Sequence, residues 1–385
     1  MLNFHKVKRI GKVDLSILFV CCCIAGKLAL SFVLPDKFLY DSGNILSAVM
    51  NTNRVLDSSY MFAVNFYRFF FNIFGLQNTY SWSLFWGLVF DFSIFIYINK
   101  FFPNTIPFTY AVLFLLFSTL WNIYTFLMSK DLIIFLLIAI SLGLISKSNN
   151  RFPFIFISLI ISFVGYYFKF YYFFILAIFL LLSLLAKVLI IRKSNKLKSV
   201  NIWLFLLLST ALFFVFVVAI RFISRTNYLS IINARENVNL SRIGSVDAQS
   251  MINDLFSNSS SAGALLNIFV ALLRIVFPIE LVFKGNALYI AFFVLQVLID
   301  LYLIFLMKMS ISCNSKKFLL FSILIISYLL VSSTFEPDFG SFLRHEVSFV
   351  GPVLISSASM INKLKLKNKK DCALLLLGLS NASLA

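Results

Sequence analysis

The sequence predicts an all-α, polytopic integral membrane protein with about ten transmembrane helices, and three observations support this fold class. Apolar stretches of about 15–22 residues recur along the chain, close to the length that a helix needs to cross a bilayer. Hydrophobic residues make up 61% of the chain and charged residues 12%, whereas a soluble domain carries about 25% charged residues. Lys and Arg cluster in alternate linkers, as the positive-inside rule requires. A globular soluble protein is therefore excluded.

The apolar stretches predict an ordered series of spans. We place these at about 15–34, 79–98, 105–126, 132–146, 152–166, 173–191, 201–220, 287–307, 318–333 and 348–361. The first is too long for a signal peptide and lacks a cleavage site, so we expect it to be retained with the N-terminus in the cytoplasm. Ten spans then place the basic tail, about 362–385, in the cytoplasm as well.

The same topology defines the linkers on the non-cytoplasmic face. The long outer loops are predicted at about 35–60, 221–263 and 334–347, within one transmembrane domain that covers residues 1–385. The amphipathic stretches 61–76 and 264–277 are expected at the membrane interface or dipping into it.

Charge and cysteine usage narrow the possible partners. The formal net charge is +18, but the Lys clusters lie at the ends of apolar segments, where the bilayer accounts for them. No basic face with interleaved aromatic residues is present, so we expect no nucleic-acid partner. The five cysteines match no metal motif and no disulfide framework.

Candidates for acid–base chemistry come from the outer linkers, where acids and bases are mixed. Asp41 can accept a proton from a hydroxyl or bind a metal, although the segment Asp-Ser-Gly-Asn also suits a helix cap. Lys130 and Asp131 lie at the tip of a tight turn, where they could bind a phosphate and a sugar hydroxyl or form a simple interfacial pair. His345, in the last loop, titrates near neutral pH and can serve as acid or base.

Candidates for anion binding come from the same face. Arg prevails over Lys in the 221–263 loop, and a guanidinium grips phosphate with two parallel hydrogen bonds. This loop therefore suits a pyrophosphate ligand, although a polar loop without function is the alternative. The last loop is the densest in ionisable groups. The residues expected to bind the substrate or its pyrophosphate are Arg225, Arg235, Arg242, Arg344, Lys130, Asp338 and Glu336.

Three ionisable residues stand out inside the predicted spans. Such groups are costly in a bilayer and are often functional. Lys27 can instead extend its ammonium toward the interface, and Asp300 can pair inside the bundle. For these two residues, and for Asp91, both interpretations stay open.

Several of these segments resemble a known family. The Tyr-Asp-Ser segment at 40–42, Ser-Lys-Asp at 129–131 and Gly-Ser-Phe-Leu-Arg-His at 340–345 resemble segments of the bacterial O-antigen and capsular polysaccharide polymerases. The order of many spans with a long, Arg-rich outer loop in the second half is also similar. The resemblance implies a GT-C-like helical bundle with outer-face loops, in the bacterial cytoplasmic membrane.

The resemblance also implies a reaction. A growing glycan would pass from undecaprenyl pyrophosphate to a sugar hydroxyl of the next lipid-linked oligosaccharide unit. Asp41, His345 and Asp131 would be the catalytic residues, and no metal or other cofactor is expected because pyrophosphate is a good leaving group. A chain-length regulator and a flippase of the same pathway are the implied protein partners.

Two other functions fit parts of the sequence. A GT-C glycosyltransferase that moves one sugar from a polyprenyl-phosphate donor would share the fold and the acid in the first loop. A transporter or flippase of lipid-linked sugars would favour internal repeats and helices broken by Gly or Pro. This chain shows no repeat and has only 7 Pro.

Overall fold

The computed structural model describes residues 9–51, 58–147, 152–192, 201–241, 250–258, 260–313 and 315–363. The described chain is almost entirely helical, so the predicted all-α class is confirmed. Its helices are α1 (Lys12–Phe32), α2 (Tyr40–Met50), α3 (Ser58–Phe74), α4 (Thr79–Phe101), α5 (Phe108–Leu120), α6 (Lys130–Lys147), α7 (Phe152–Tyr167), α8 (Tyr172–Arg192), α9 (Ile202–Ile223), α10 (Arg225–Ser241), α11 (Ser261–Val276), α12 (Ile279–Phe283), α13 (Ala287–Ser312), α14 (Lys316–Phe335) and α15 (Phe339–Lys363).

Seven helical segments of the described chain are long and apolar enough to cross a membrane. They are Lys12–Phe32, Thr79–Phe101, Phe108–Thr125, Tyr172–Ile190, Ile202–Ile223, Ala287–Ile311 and Lys316–Phe335. The other three predicted spans correspond to α6, α7 and α15. Of these, α7 has only 16 residues, and α6 carries charged residues at its start. The count of ten spans stays a prediction.

Parts of the predicted outer loops are helical. The stretch 35–60 contains α2 and the start of α3, the stretch 221–263 contains α10, and α15 begins inside the stretch 334–347. Hydropathy does not detect such segments because they are short or polar. The start of α15 is fixed by Asp338, whose carboxylate accepts hydrogen bonds from the backbone N–H of Ser341 at 2.8 Å and from its hydroxyl at 2.9 Å.

The first of two compact units comprises Met1–Tyr172 and Arg344–Ala385. In it α1 packs against α4 and α5, and α6 packs against α7. A short antiparallel pair of strands, β1 (Arg9–Gly11) and β2 (Thr105–Pro107), joins the segments that precede α1 and α5. This pair was not predicted from the sequence. After α5 the helix widens into one π turn, Trp121–Thr125, before the chain reaches α6.

The second unit comprises Phe173–Leu343. Its centre is α14, in which every residue from Phe321 to Thr334 is buried. The neighbours of α14 are α10, α11 and α13. Asp300 lies on α13. The central position of α14 could not be predicted from an amphipathic pattern, because an apolar helix that is buried on all sides has no polar face.

Lys27 of α1 anchors the π turn of the first unit. Its ammonium donates hydrogen bonds to the hydroxyl of Ser83 at 2.9 Å, to the carbonyl of Asn122 at 3.1 Å and to the carbonyl of Phe126 at 2.9 Å. The three donors of a lysine are thus matched by three acceptors, two of them carbonyls left over where α5 ends. Asp91 accepts a hydrogen bond from the side chain of Asn122 at 3.0 Å.

We predict that Lys27→Met destabilises the protein, because three acceptors lose a charged donor. The expected loss is about 3 kcal/mol in the free energy of unfolding. Thermal unfolding of the purified protein in detergent measures it. The control is Lys100→Met, at the exposed end of α4, where we expect a change within about 0.5 kcal/mol. Equal unfolding curves for the two variants would contradict this role of Lys27.

Candidate functional site

Six ionisable residues from distant parts of the sequence meet in the first unit, and we call them the charged cluster. Each of them has a short contact or a close electrostatic interaction with at least one other member of the group. They are Asp41, Lys130, Asp131, Lys169, Arg344 and His345.

The start of α6 positions two members of the cluster. The hydroxyl of Ser129 accepts a hydrogen bond from the backbone N–H of Leu132 at 3.2 Å, which is the chemistry of a helix N-cap. The buried Tyr67 hydroxyl accepts from the Ser129 N–H at 2.9 Å and donates to the Ser129 carbonyl at 2.7 Å. Asp131 therefore lies in the first turn of α6, where the helix dipole favours a negative charge.

Asp131 is the buried anion of the cluster. Its side chain is 3% exposed, and it lies between two cations: Oδ2 is 2.9 Å from Nε of Arg344, and Oδ1 is 3.8 Å from Nζ of Lys169. Burial raises the pKa of Asp131, but Arg344 and Lys169 outweigh burial and hold that pKa below its ordinary value. The carboxylate is therefore ionised at neutral pH.

Asp41 is the more accessible anion, with its side chain 17% exposed. Its Oδ2 lies 2.8 Å from Nη1 of Arg344, and its Oδ1 accepts a hydrogen bond from the Tyr60 hydroxyl at 2.9 Å. Burial raises the pKa of Asp41, and the positive charge of Arg344 overcomes this effect and lowers it. One guanidinium thus bridges two carboxylates that lie far apart in the sequence.

His345 is held in its neutral form. Its Nε2 contacts the ammonium of Lys169, and Nδ1 lies 3.5 Å from the hydroxyl of Tyr171. Burial and then the charge of Lys169 lower the pKa of His345 well below its ordinary value. An ammonium can only donate, so Nε2 acts as acceptor toward Lys169. That lone pair is occupied, and it is not free to take a proton from a substrate.

Lys130 supplies a third cation near Asp41. Its ammonium lies 3.6 Å from the centre of the Tyr60 ring and 3.3 Å from the hydroxyl of Ser59. A cation over an aromatic face is stabilised by the ring quadrupole. Lys130, Lys169 and Arg344 are three cationic side chains in one cluster with Asp41 and Asp131. Their N–H donors suit an anionic ligand.

The structure brings together five of the predicted site residues, and others lie elsewhere. Asp41, Lys130, Asp131, Arg344 and His345 meet in the cluster. Arg225, Arg235, Glu336 and Asp338 belong to the second unit, and Arg242 lies outside the described residues.

Within the second unit, Arg235 is buried and occupied by the protein itself. Its Nη1 donates to the carbonyl of Ser333 at 2.8 Å, and its Nη2 contacts the carboxylate of Asp254. Asp254 also accepts a hydrogen bond from the side chain of Asn258 at 2.8 Å. These contacts fasten the segment 250–258 to α10 and α14. Arg225 is exposed at the start of α10, and Glu336 and Asp338 are buried.

Two members of the site were not predicted from the sequence. Lys169 is a single charge inside an aromatic run, and this placement was its only signal. Tyr60 could not be singled out, because it is one of 15 tyrosines in the chain. In the described residues, no three His, Cys, Asp or Glu side chains converge in the way that a metal site requires.

Because His345 is neutral in the folded protein, we predict that the stability of the fold decreases at acidic pH. The unfolded state binds a proton below about pH 6.5, whereas the folded state does not, so the free energy of unfolding falls as the pH falls. Asp41 and Asp131 have lowered pKa values, so the stability that they contribute is lost only at lower pH, near and below about pH 4. We expect the unfolding temperature in detergent to drop between pH 7 and pH 5.

His345→Gln should flatten this pH dependence, because glutamine offers an acceptor to Lys169 but does not titrate. His5→Gln is the matched control, since His5 is the other histidine of the chain, and it should keep the wild-type slope. An unchanged slope in His345→Gln would contradict the assignment.

Comparison with known proteins gave no match to a family model, to a curated protein or to a solved structure.

Proposed function

We propose that this protein is a membrane glycosyltransferase that joins oligosaccharide units carried on a lipid diphosphate, as a polysaccharide polymerase. The observation that supports this proposal most is Arg344, a cation held between the carboxylates of Asp41 and Asp131. Glycosyl transfer from a diphosphate needs a base for the acceptor and a cation for the leaving group. The cluster contains both within one bonded network.

Asp41 is the proposed base. It is ionised at neutral pH and is partly exposed, so that an acceptor hydroxyl can reach it. In the reaction the acceptor oxygen attacks the anomeric carbon of the donor sugar, and its proton passes to Asp41. The bond between the anomeric carbon and the diphosphate oxygen breaks, and its electron pair leaves with the diphosphate.

Arg344 and Lys130 are the proposed partners of the leaving diphosphate. The side chain of Arg344 is 32% exposed, and its planar fork matches two phosphate oxygens. Lys130 is a point charge held over the Tyr60 ring, and like Arg344 it acts electrostatically on Asp41. Donors that are already fixed in place stabilise developing negative charge without reorganisation.

Asp131, Lys169 and His345 are better suited to positioning than to proton transfer. Asp131 is almost fully buried, and the lone pair of His345 is taken by Lys169. Asp131 faces Nε of Arg344, Lys169 lies next to Asp131, and His345 contacts Lys169. We therefore keep Asp131 and His345 in the site, with the role of fixing the guanidinium.

The substrate class follows from the surroundings of the cluster. Seven apolar helical segments suit a lipid-anchored donor, and undecaprenyl pyrophosphate is the carrier that the family resemblance implies. Placement at the outer face of the cytoplasmic membrane, cytoplasmic termini, a chain-length regulator and a flippase belong to the same proposal. Arg225, Arg235 and Arg242 stay predictions for substrate contact in the second half of the chain.

A transferase that adds one sugar from a polyprenyl-phosphate donor would use the same base and the same cation. Two cations, Arg344 and Lys130, are proposed to face the leaving group. They favour the diphosphate, because a diphosphate carries more negative charge than a phosphodiester. The two enzymes differ in the glycan that remains when they are lost.

We predict that deletion of the gene in its host leaves surface glycan of a single repeat unit, because polymerisation alone is lost. Gel analysis of the surface glycan measures the chain length. Loss of every glycan, including the single unit, would contradict polymerisation and would indicate an earlier transferase or a flippase.

Complementation then tests the proposed residues. Asp41→Asn and Arg344→Gln should not restore long glycan, since loss of a catalytic base alone lowers the rate by about 10²–10⁴. Arg221→Gln, an exposed arginine outside the cluster, is the matched control and should restore it. Normal glycan with Arg344→Gln, at equal protein levels, would contradict the assignment of the leaving-group partner.

A further inference from the structure

Resting on the proposed function, we infer that Asp41 is an internal competitor for Arg344, so that the donor's diphosphate must displace Asp41 in order to bind. The base of the reaction is then released by the donor itself. Binding would be ordered, with the diphosphate first and the acceptor second.

The geometry of Arg344 leads to this inference. A guanidinium grips two oxygens along one of two edges, either Nε with Nη2 or Nη1 with Nη2. Asp131 lies at Nε and Asp41 lies at Nη1. Each edge therefore faces one carboxylate, and a phosphate that uses two nitrogens must take the place of one of them.

Asp41 is the carboxylate that can be displaced. The Asp131 side chain is 3% exposed and faces Lys169 as well as Arg344, so its removal would leave a buried carboxylate next to an unpaired cation. The Asp41 side chain is 17% exposed. Solvent or a ligand can replace the contact between Asp41 and Arg344 at a lower free-energy cost.

Tyr60 keeps Asp41 in the site after displacement. The two carboxylate oxygens have different partners, since Oδ1 accepts from the Tyr60 hydroxyl and Oδ2 faces Arg344. Burial and the charge of Asp41 raise the pKa of Tyr60, so the hydroxyl keeps its proton and its bond to Oδ1. When a phosphate takes Arg344, only Oδ2 loses its partner, and it becomes the free acceptor for the proton of the incoming hydroxyl.

The displacement also makes Asp41 a stronger base. The charge of Arg344 is the main influence that lowers the pKa of Asp41. A phosphate bound to Arg344 neutralises that charge, and the carboxylate then holds a proton more readily. In the absence of donor, the base stays tied to Arg344.

Binding of inorganic pyrophosphate to the purified full-length protein in detergent tests this inference. Asp41→Asn removes the competing charge, and we expect pyrophosphate to bind about tenfold more tightly than to the wild type. The matched control is Asp36→Asn, which changes the net charge equally, lies five residues away in the sequence and is exposed. It should bind as the wild type does. Arg344→Gln should lose the binding.

Each outcome bears on one of the two proposals. Equal or weaker binding by Asp41→Asn, with binding still lost in Arg344→Gln, overturns the competition but leaves the anion site. Equal gains in Asp41→Asn and Asp36→Asn also overturn it, because net charge alone would then explain the gain. If neither the wild type nor Asp41→Asn binds pyrophosphate, both the anion site and the competition are overturned. Asp41→Ser repeats the test if the asparagine variant does not fold.

Discussion

The architecture of the charged cluster depends on one buried carboxylate. Asp131 is removed from solvent, and an isolated ionised carboxylate in such a place would cost many kcal/mol. Arg344 and Lys169 offset that cost, so α6, the turn between α7 and α8, and α15 must meet at this point. Removing Arg344 leaves the buried Asp131 with only the more distant Lys169, which is far more costly than losing an exposed pair.

The helix ends supply the precision that this arrangement needs. Ser129 caps α6 and is itself held by Tyr67, so Asp131 has little freedom. Asp338 caps α15 and sets the turn of the helix on which Arg344 and His345 lie. Lys27 satisfies carbonyls of the π turn that leads toward Ser129. The chain thus uses polar side chains near the ends of apolar helices to fix a small set of charges.

Much of the fold could be predicted from the sequence, because span length and charge sorting are local properties. Five of the ten predicted site residues also meet in space. These residues were predicted because their types are unusual in an apolar chain: a His in the last loop, an Arg beside it, and acids between apolar helices. Their grouping could not be predicted, since Asp41 and Arg344 are separated by about three hundred positions and no local pattern links them.

Other features lay outside the reach of local patterns. Lys169 was not recognised as a partner of Asp131, because its role depends on where the turn after α7 lies in space. The 334–347 stretch was expected to be a loop, since its charges lower its hydropathy, yet the cap at Asp338 starts a helix there. Arg235 was expected to contact the substrate, and no local pattern shows that its guanidinium contacts Ser333 and Asp254. Each of these three features depends on contacts between residues that are distant in the sequence or on a local cap that hydropathy does not detect.

The most direct test of the central interaction is a double-mutant cycle on Asp131 and Arg344. Thermal and denaturant unfolding in detergent would be measured for Asp131→Asn, for Arg344→Gln and for the two together. If the pair holds the cluster, the double variant should be less destabilised than the sum of the single variants, by about 2 kcal/mol or more. Strict additivity would show that the two side chains do not depend on each other, and it would contradict the account.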